Sequence, residues 1–364
     1  MDFLKPVILF LILVALLVAV SFVPANVSPN SGPLSKINPA SQMPTLSIFE
    51  APILSKINNR SVLFYEIYVS NYSLAPSKLE VLDENNKIIY SIGGADINAT
   101  LLPVQSWDGR TPIRMWVELG SKTPLNISHK LYFGNQVIQG AQSEVIYKPL
   151  LVIAPPFHTN ITWLAMNAPS NFEPHRNAIF ELNGKDYVPQ RYAIDWVIAD
   201  EAGNWGIGNG SLNSDFYCYG QEILAVANGT VVNMQDGIRD NMPGQRPVAN
   251  VVILGGNYVV LDLHNGYYAF YGHMIPGSLR VKNGDNVTAG QVIGLLGNSG
   301  NSNAAHLHFH VCDSMDYLFC HGQPYAFSTY TAESTDDNGK WKNPTSMKTY
   351  SNSIPENYDA VSWK

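Results

Sequence analysis

Six residues near the carboxyl end, His306-Leu307-His308-Phe309-His310-Val311, constrain the fold more than any other stretch. In an extended strand successive side chains point to opposite faces, so the three imidazoles share one face and Leu307, Phe309 and Val311 share the other. One face packs; the other carries only imidazole. Neighbouring imidazoles then stand roughly 6.6–6.8 Å apart at their Cα atoms, close enough for two to approach one metal ion, or for one to bind it while the next acts on a substrate. The plainer alternative is a half-exposed strand that happens to use histidine.

The rest of the chain also reads as β-structure. From about 45 to 149, runs such as "SVLFYEIYVSN", "KLEVLDE", "IRMWVEL" and "HKLYFGN" alternate with turn clusters. That spacing predicts an immunoglobulin-like β-sandwich without its disulfide, serving as a spacer or packing partner. In 150–330 the strands are punctuated by glycine. "NYVVLDLHNGYYAFYGHM" predicts a hairpin with Asn265-Gly266 in a tight type I′ turn. "LRVKNGDNVTAGQVIGLLGNSG" predicts a second, with Gly284, Gly290, Gly294 and Gly297 where a barrel-like sheet must bend. The tail, 331–364, is polar, and "AVSW" is expected to form a final edge strand. Helix signals are few, so the expected class is all-β.

Charged residues make up 14% of the chain, against a usual share of about 25%. The formal charge is −7, with no stripe of Lys or Arg, which argues against nucleic acid as a partner. Lys5 precedes an apolar run from Pro6 to Val23, longer than the roughly 7–15 residues of a signal-peptide core and near the ~20 that span a bilayer. Residues 1–23 are read as an uncleaved anchor in preference to a cleaved signal peptide. No basic residue follows until Lys36, so the body is expected on the extracellular side, or secreted if the segment is cleaved. Residues 24–44, rich in Pro, Ser and Asn, are the expected tether. Nine Asn-X-Ser/Thr sequons fit an exported surface. In an oxidising compartment Cys312 and Cys320, which flank "DSMDYLF", are expected to form a bridge, leaving Cys218 as a buried thiol.

Asp195 sits in the otherwise apolar "YAIDWV", where a carboxylate is costly unless something binds it. His175 in "EPHRNAIF" and His273 in "FYGHM" offer further donors. Taken in order, "YAIDW", "YGHMIPGSLRVKNGDNVTAGQVIGLLGNSGNS" and "HLHFHV" resemble the lysostaphin-type, or LytM-like, zinc metallopeptidases, whose members typically cut peptide cross-links of bacterial cell walls. The similarity spans roughly 150–330. It implies an antiparallel β-sheet peptidase domain, a zinc ion, and a cell-wall or envelope peptide as substrate. Asp195 and His308 match the family's zinc-ligating aspartate and the ligating second histidine of its HxH pair. His306 matches the catalytic first histidine of that pair, and His273 the catalytic histidine of its YxH segment.

One position departs from the pattern. The family's first ligand is usually a histidine four residues before the aspartate, and here Arg191 stands there. Its guanidinium stays protonated and offers no lone pair. His175, linked to Asp195 through the turn-like "NGKD", is the candidate that a β-hairpin could return to the site. The alternatives are His310 as third ligand, or no third ligand at all. His310 is otherwise expected to orient a ligand or touch substrate, and Arg191 to stand as a fixed cation near Asp195 or a substrate carboxylate. His129, His158, His264 and His321 read as ordinary core or surface residues. Loops in 200–222, with Trp205, Tyr217 and Tyr219, are expected to choose the substrate.

A zinc endopeptidase is thus the leading expectation. Arg191 keeps open a non-catalytic envelope module that binds wall peptide or glycan, or regulates a partner hydrolase. "GDNVTAGQVIG" resembles biotinyl and lipoyl carrier hairpins, but the carrier's lysine at a hairpin tip is missing.

Overall fold

The computed structural model describes residues 43–72, 74–101, 109–245 and 251–363. The expected anchor, and the expected tether as far as residue 42, lie outside the described residues.

Eight strands come first: Thr45–Ser47 (β1), Leu54–Ile57 (β2), Arg60–Ser70 (β3), Lys78–Asp83 (β4), Ile88–Gly93 (β5), Thr111–Leu119 (β6), Asn126–Phe133 (β7) and Gln136–Glu144 (β8). One short helix, Ala95–Thr100 (α1), follows β5. β3 pairs with β1, β2 and β6 in one sheet, and the other sheet runs β5-β4-β7-β8. The two enclose a shared core that takes Leu63, Tyr65, Ile67 and Val69 from β3, Met115 and Val117 from β6, and Leu79, Val81, Leu131 and Phe133 from the opposite sheet. This half is a β-sandwich.

β3 is buried on both faces, from Val62 to Val69. Its odd-numbered residues fill the sandwich, whereas Val62 and Phe64 join a second, larger core formed mainly by the rest of the chain. Glu66 shares the face of Val62 and Phe64, because side chains two apart in a strand point the same way.

The larger half contains Val152–Ile153 (β9), Trp163–Met166 (β10), Phe180–Leu182 (β11), Lys185–Tyr187 (β12), Ile194–Val197 (β13), Glu222–Leu224 (β14), Gly229–Gln235 (β15), Asn257–Asp262 (β16) and Tyr268–Met274 (β17). Asn286–Val287 (β18), Val292–Leu295 (β19), Leu307–Cys312 (β20), Ala326–Ser334 (β21), Asp336–Asp337 (β22), Lys340–Trp341 (β23), Lys348–Ser353 (β24) and Asp359–Ser362 (β25) complete it. Ten of these form the sheet β18-β15-β16-β17-β20-β13-β10-β25-β21-β24, and β9 runs parallel to β21. The chain is all-β apart from α1 and three short 3₁₀ turns among the described residues.

Two expectations need correction. β25 is interior, between β10 and β21, because Ala360 and Val361 are apolar enough to be buried there; the edge strand that the tail supplies is β24. The β16–β17 hairpin closes through Leu263 N donating to Tyr267 O at 2.9 Å, around a three-residue loop whose positive φ values fall at His264 (60°) and Gly266 (81°). Tight two-residue turns with both residues left-handed lie instead between β11 and β12, at Asn183 (54°) and Gly184 (76°), between β2 and β3, at Asn58 (43°) and Asn59 (62°), and between β22 and β23, at Asn338 (54°) and Gly339 (79°).

Candidate metal centre

β20 runs through the middle of the large sheet and is buried on both faces. Leu307, Phe309 and Val311 enter the core. His308 and His310 project from the other side, so the half-exposed strand is not what the chain builds. Antiparallel register sets Asp195 of β13 directly opposite His308, and Gly272 of β17 opposite it on the other side. His308 Nδ1 lies 2.8 Å from Asp195 Oδ1. His273, next to Gly272, brings its ring within 4.7 Å of the His306 ring.

His175 arrives by a different route. It sits on the 3₁₀ turn Pro174–Asn177, whose cap is Glu173; the carboxylate of Glu173 accepts the main-chain N–H of His175 at 2.6 Å and of Arg176 at 3.1 Å. His175 Nδ1–H donates to Asn167 O at 2.8 Å, which leaves Nε2 facing Asp195 Oδ2 at 3.2 Å. The donor atoms of His175, Asp195 and His308 all lie within 4.8 Å of one another, and all three residues are buried. Two imidazoles and one carboxylate match the protein donor set of a catalytic zinc site. The residue that joins Asp195 and His308 in this cluster is His175, brought in by the turn that precedes the β11–β12 hairpin.

His310 is placed behind His308. Its Nδ1 lies 2.9 Å from His308 Nε2. Against the bare carboxylate it is Nδ1–H of His308 that donates to Asp195; a metal ion between them would take the other tautomer, in which Nε2–H donates to His310 and Nδ1 offers its lone pair, the usual way a neighbour orients a metal-binding imidazole. Phe270 stacks on His310 and on Tyr317, which belongs to the loop closed by the Cys312–Cys320 disulfide. That bridge also removes the two thiolates that would otherwise stand near His310. Cys218 is a free buried thiol, pushed up to about 12 by burial.

Arg191 does not face the centre. Its Nε and Nη2 donate to Glu66 Oε2 at 3.0 and 2.8 Å, and Nη1 lies 2.7 Å from Glu50 Oε2. Instead of a cation beside Asp195 or substrate, it is a buried clasp on the sandwich, because two carboxylates of that half compete for it. Trp205 packs into the core and is largely buried. Tyr217 and Tyr219 stay partly exposed, with hydroxyls donating to Asp200 and Asp240. His129 is a core residue bonded to Tyr65, His158 and His264 are exposed, and His321 pairs with Glu50.

Electrostatics separate the roles. Burial raises the Asp195 carboxyl, but the charges of His175 and His306 and hydrogen bonds from His175 and His308 outweigh it and hold it well below the carboxylate range. Burial holds His308 down at about 4 despite Asp195. Burial, then the nearby His306 and His308, keeps His273 well below its ordinary value. Both rings are thus neutral at pH 7. Burial also lowers His175, yet Asp195 and then Glu173 raise it to about 9. Glu173 itself is raised by burial to about 8.

Several contributors went unnamed in the sequence. Asn167, with φ 50°, gives its carbonyl to His175 and its amide N–H to Asp195 Oδ2 at 2.7 Å. Ser299 O accepts Nδ1–H of His273 at 2.7 Å. It can reach there because Gly300, at φ 76°, passes so close to Gly256 that a Cβ would stand 2.2 Å from its nitrogen. Ala304 O accepts Nδ1–H of His306 at 2.9 Å. The loop "NSGNS" signalled polar turns without saying which carbonyl would be used. Asn167 carried no signal. His273 holds φ 66° within β17, a left-handed conformation rare for a non-glycine residue and typical of functional sites.

Residues 214–319 match the model of peptidase family M23. Among solved structures, the chain is similar to the catalytic domain of the antimicrobial peptidase lysostaphin from Staphylococcus simulans, at 25% identity over 34% of this chain and 84% of that one, with a TM-score of 0.22. It is similar to a mutant catalytic domain of the prophage-encoded M23 protein EnpA from Enterococcus faecalis, at 31% identity over 30% and 76% of the two chains, TM-score 0.16. A zinc containing peptidase from Vibrio cholerae aligns at 14% identity over 73% and 81%, TM-score 0.22. The family match takes in His273, His306 and His308 and begins after His175 and Asp195. By that match and by the order of its histidine motifs, the chain carries a domain of peptidase family M23, the lysostaphin-type group, over residues 214–319.

Proposed function

We propose that this protein is a zinc metalloendopeptidase that hydrolyses peptide bonds in cell-wall or envelope peptides. The observation that carries the reading is the convergence of His175, Asp195 and His308 within 4.8 Å, beside two imidazoles whose Nδ1–H groups are already committed. A zinc ion held there supplies a Lewis acid for the scissile carbonyl and lowers the pKa of water towards ~7. The two neutral imidazoles and one carboxylate of its ligands leave a net charge of +1 on such a centre. The rings of His273 and His306 lie 4.7 Å apart beside these ligands, with His306 Nε2 3.5 Å from Asp195 Oδ1. Because Ser299 and Ala304 take the Nδ1 protons, each Nε2 can accept a proton from the attacking water and, once protonated, donate to the oxyanion or the leaving amine. Asn167 and His310 hold the ligands in position.

The binding-module alternative rested on Arg191, and His175 supplies the donor that Arg191 cannot. The sandwich we read as an immunoglobulin-like packing partner. For location, we read Pro6–Val23 as an anchor that leaves the body on the extracellular side, a reading supported by the Cys312–Cys320 disulfide.

The test is cleavage of cross-linked wall peptides by the zinc-loaded protein. His306→Ala and His273→Ala should keep zinc but lose about 10²–10³ in rate, the usual cost of removing a group that stabilises the oxyanion. A zinc-loaded wild type that binds these peptides and cuts none would favour the binding module.

A further inference from the structure

We propose that Glu66, a residue of the sandwich, is a positioning residue for the metal ligand His175, so that the centre is assembled across both halves of the chain. The inference rests on His175, Asp195 and His308 being the metal ligands. Glu66 is 4% exposed and lies on the outward face of β3, and each of its oxygens holds a different arginine. Oε1 accepts from Arg176 Nε at 3.1 Å and Nη2 at 2.8 Å. Oε2 accepts from Arg191 Nε and Nη2. Arg176 is the neighbour of His175 on the same 3₁₀ turn, and Arg191 lies just ahead of the strand that carries Asp195.

The turn cannot hold itself. Four residues of 3₁₀ helix make few internal hydrogen bonds, and such geometry is used only in short, externally supported pieces. Besides the Glu173 cap, its anchor on the other half is Arg176, which is fully buried. Besides Glu66, Arg176 Nη2 donates to Tyr65 O at 2.6 Å and Met115 O at 3.3 Å, and the guanidinium lies 4.0 Å from the Phe64 ring centroid. In a 3₁₀ turn consecutive side chains diverge by roughly 120°. Fixing Arg176 against the sandwich therefore fixes the direction in which His175 leaves the turn. Glu66 thus ties the two ligand-bearing segments, the His175 turn and the approach to Asp195, to one carboxylate.

The experiment measures the zinc dissociation constant of the full chain against a chromophoric chelator, together with the visible spectrum of the cobalt-substituted protein. Glu66→Gln and Arg176→Lys should each weaken zinc binding about 10–100-fold, the usual cost of losing a group that orients a ligand, while Glu50→Gln stays within about twofold. Glu50 is the control because it pairs with Arg191 and His321 at the same interface. The cobalt spectra of Glu66→Gln and Arg176→Lys should shift as the His175 donor drifts, and that of Glu50→Gln should not. Thermal unfolding without metal checks that each variant is folded; if Glu66→Gln is not, Arg176→Lys carries the test. Wild-type affinity in both variants, with loss of metal in His175→Ala, would overturn the proposal alone. Equal weakening in Glu50→Gln would overturn it too, as general loosening of the interface. If His175→Ala binds zinc like the wild type, the ligand reading itself fails.

Discussion

Two buried clusters of charge lie close together in this protein and follow opposite logic. Around Arg191, two arginines face two carboxylates, Glu50 and Glu66, so that the charges of these four groups cancel, and His321 adds a partner to Glu50. Around Asp195, one carboxylate faces imidazoles, of which His273 and His308 are held neutral by burial, and compensation comes from a proton on His175. The first cluster is complete without any ligand. The second directs donor atoms at a common space and, on the function proposed above, is completed by a cation. Balance marks the interface between the halves, and imbalance marks the reactive centre.

This contrast is first broken or sharpened at Arg191. A guanidinium does not shed its proton, and its removal strands the carboxylates it faces. Arg191→Met should therefore cost roughly 3–5 kcal/mol of unfolding free energy, as breaking a buried ion pair usually does. Urea unfolding in chelator measures it. A variant as stable as the wild type would mean that the balanced cluster holds nothing together.

The same two clusters show what sequence could and could not carry. Alternation in "HLHFHV" fixed the strand and its imidazole face, and a carboxylate stranded in "YAIDWV" marked Asp195. "SVLFYEIYVS" contains the same anomaly at Glu66, and it went unread because no histidine motif stood beside it. The position of His175 depends on a side-chain anchor, Arg176 on Glu66, across 110 residues, and no local pattern encodes that. β10 and β25 pair across roughly two hundred residues, so Asp359–Ser362 read as an edge when its neighbours were far away in sequence. The Asn265–Gly266 reading failed for a local reason: His264 takes the left-handed position that asparagine more often fills.

A second contrast lies in acid. Burial raises the Glu50 carboxyl, but Arg191 and His321 more than offset this and hold it at about 2, against an ordinary 4.5. The folded value is depressed, so the stability it contributes is complete above pH 4.5 and is lost as the pH falls towards 2. With the side chain 23% exposed, the loss over that window is roughly 2–3 kcal/mol after allowing for solvent screening. Metal-free wild type and metal-free Glu50→Gln, unfolded in urea from pH 5 to pH 2, should converge in stability across this range. Parallel curves would detach Glu50 from the acid response.

The smallest effect on stability is expected where the effect on function is largest. In Asp195→Asn the shape of the side chain is kept and the carboxylate is lost. His175 owes its raised value first to Asp195, acting against burial, and then to Glu173. Without Asp195, burial regains weight and His175 can release its proton, so no charge is stranded as it is when an arginine loses its partner. The unfolding free energy in chelator should therefore change by about 1 kcal/mol or less. Zinc content, by contrast, should fall from about one ion per chain to none, because a neutral amide replaces the anionic ligand. Elemental analysis beside urea unfolding reads both quantities on one sample. If Asp195→Asn destabilised the metal-free protein as much as Arg191→Met does, the carboxylate would be part of the scaffold, and the division between a closed cluster and an open one would not hold. If it stayed stable and still bound zinc, the donors would have to be drawn from His175, His308 and another residue of the centre.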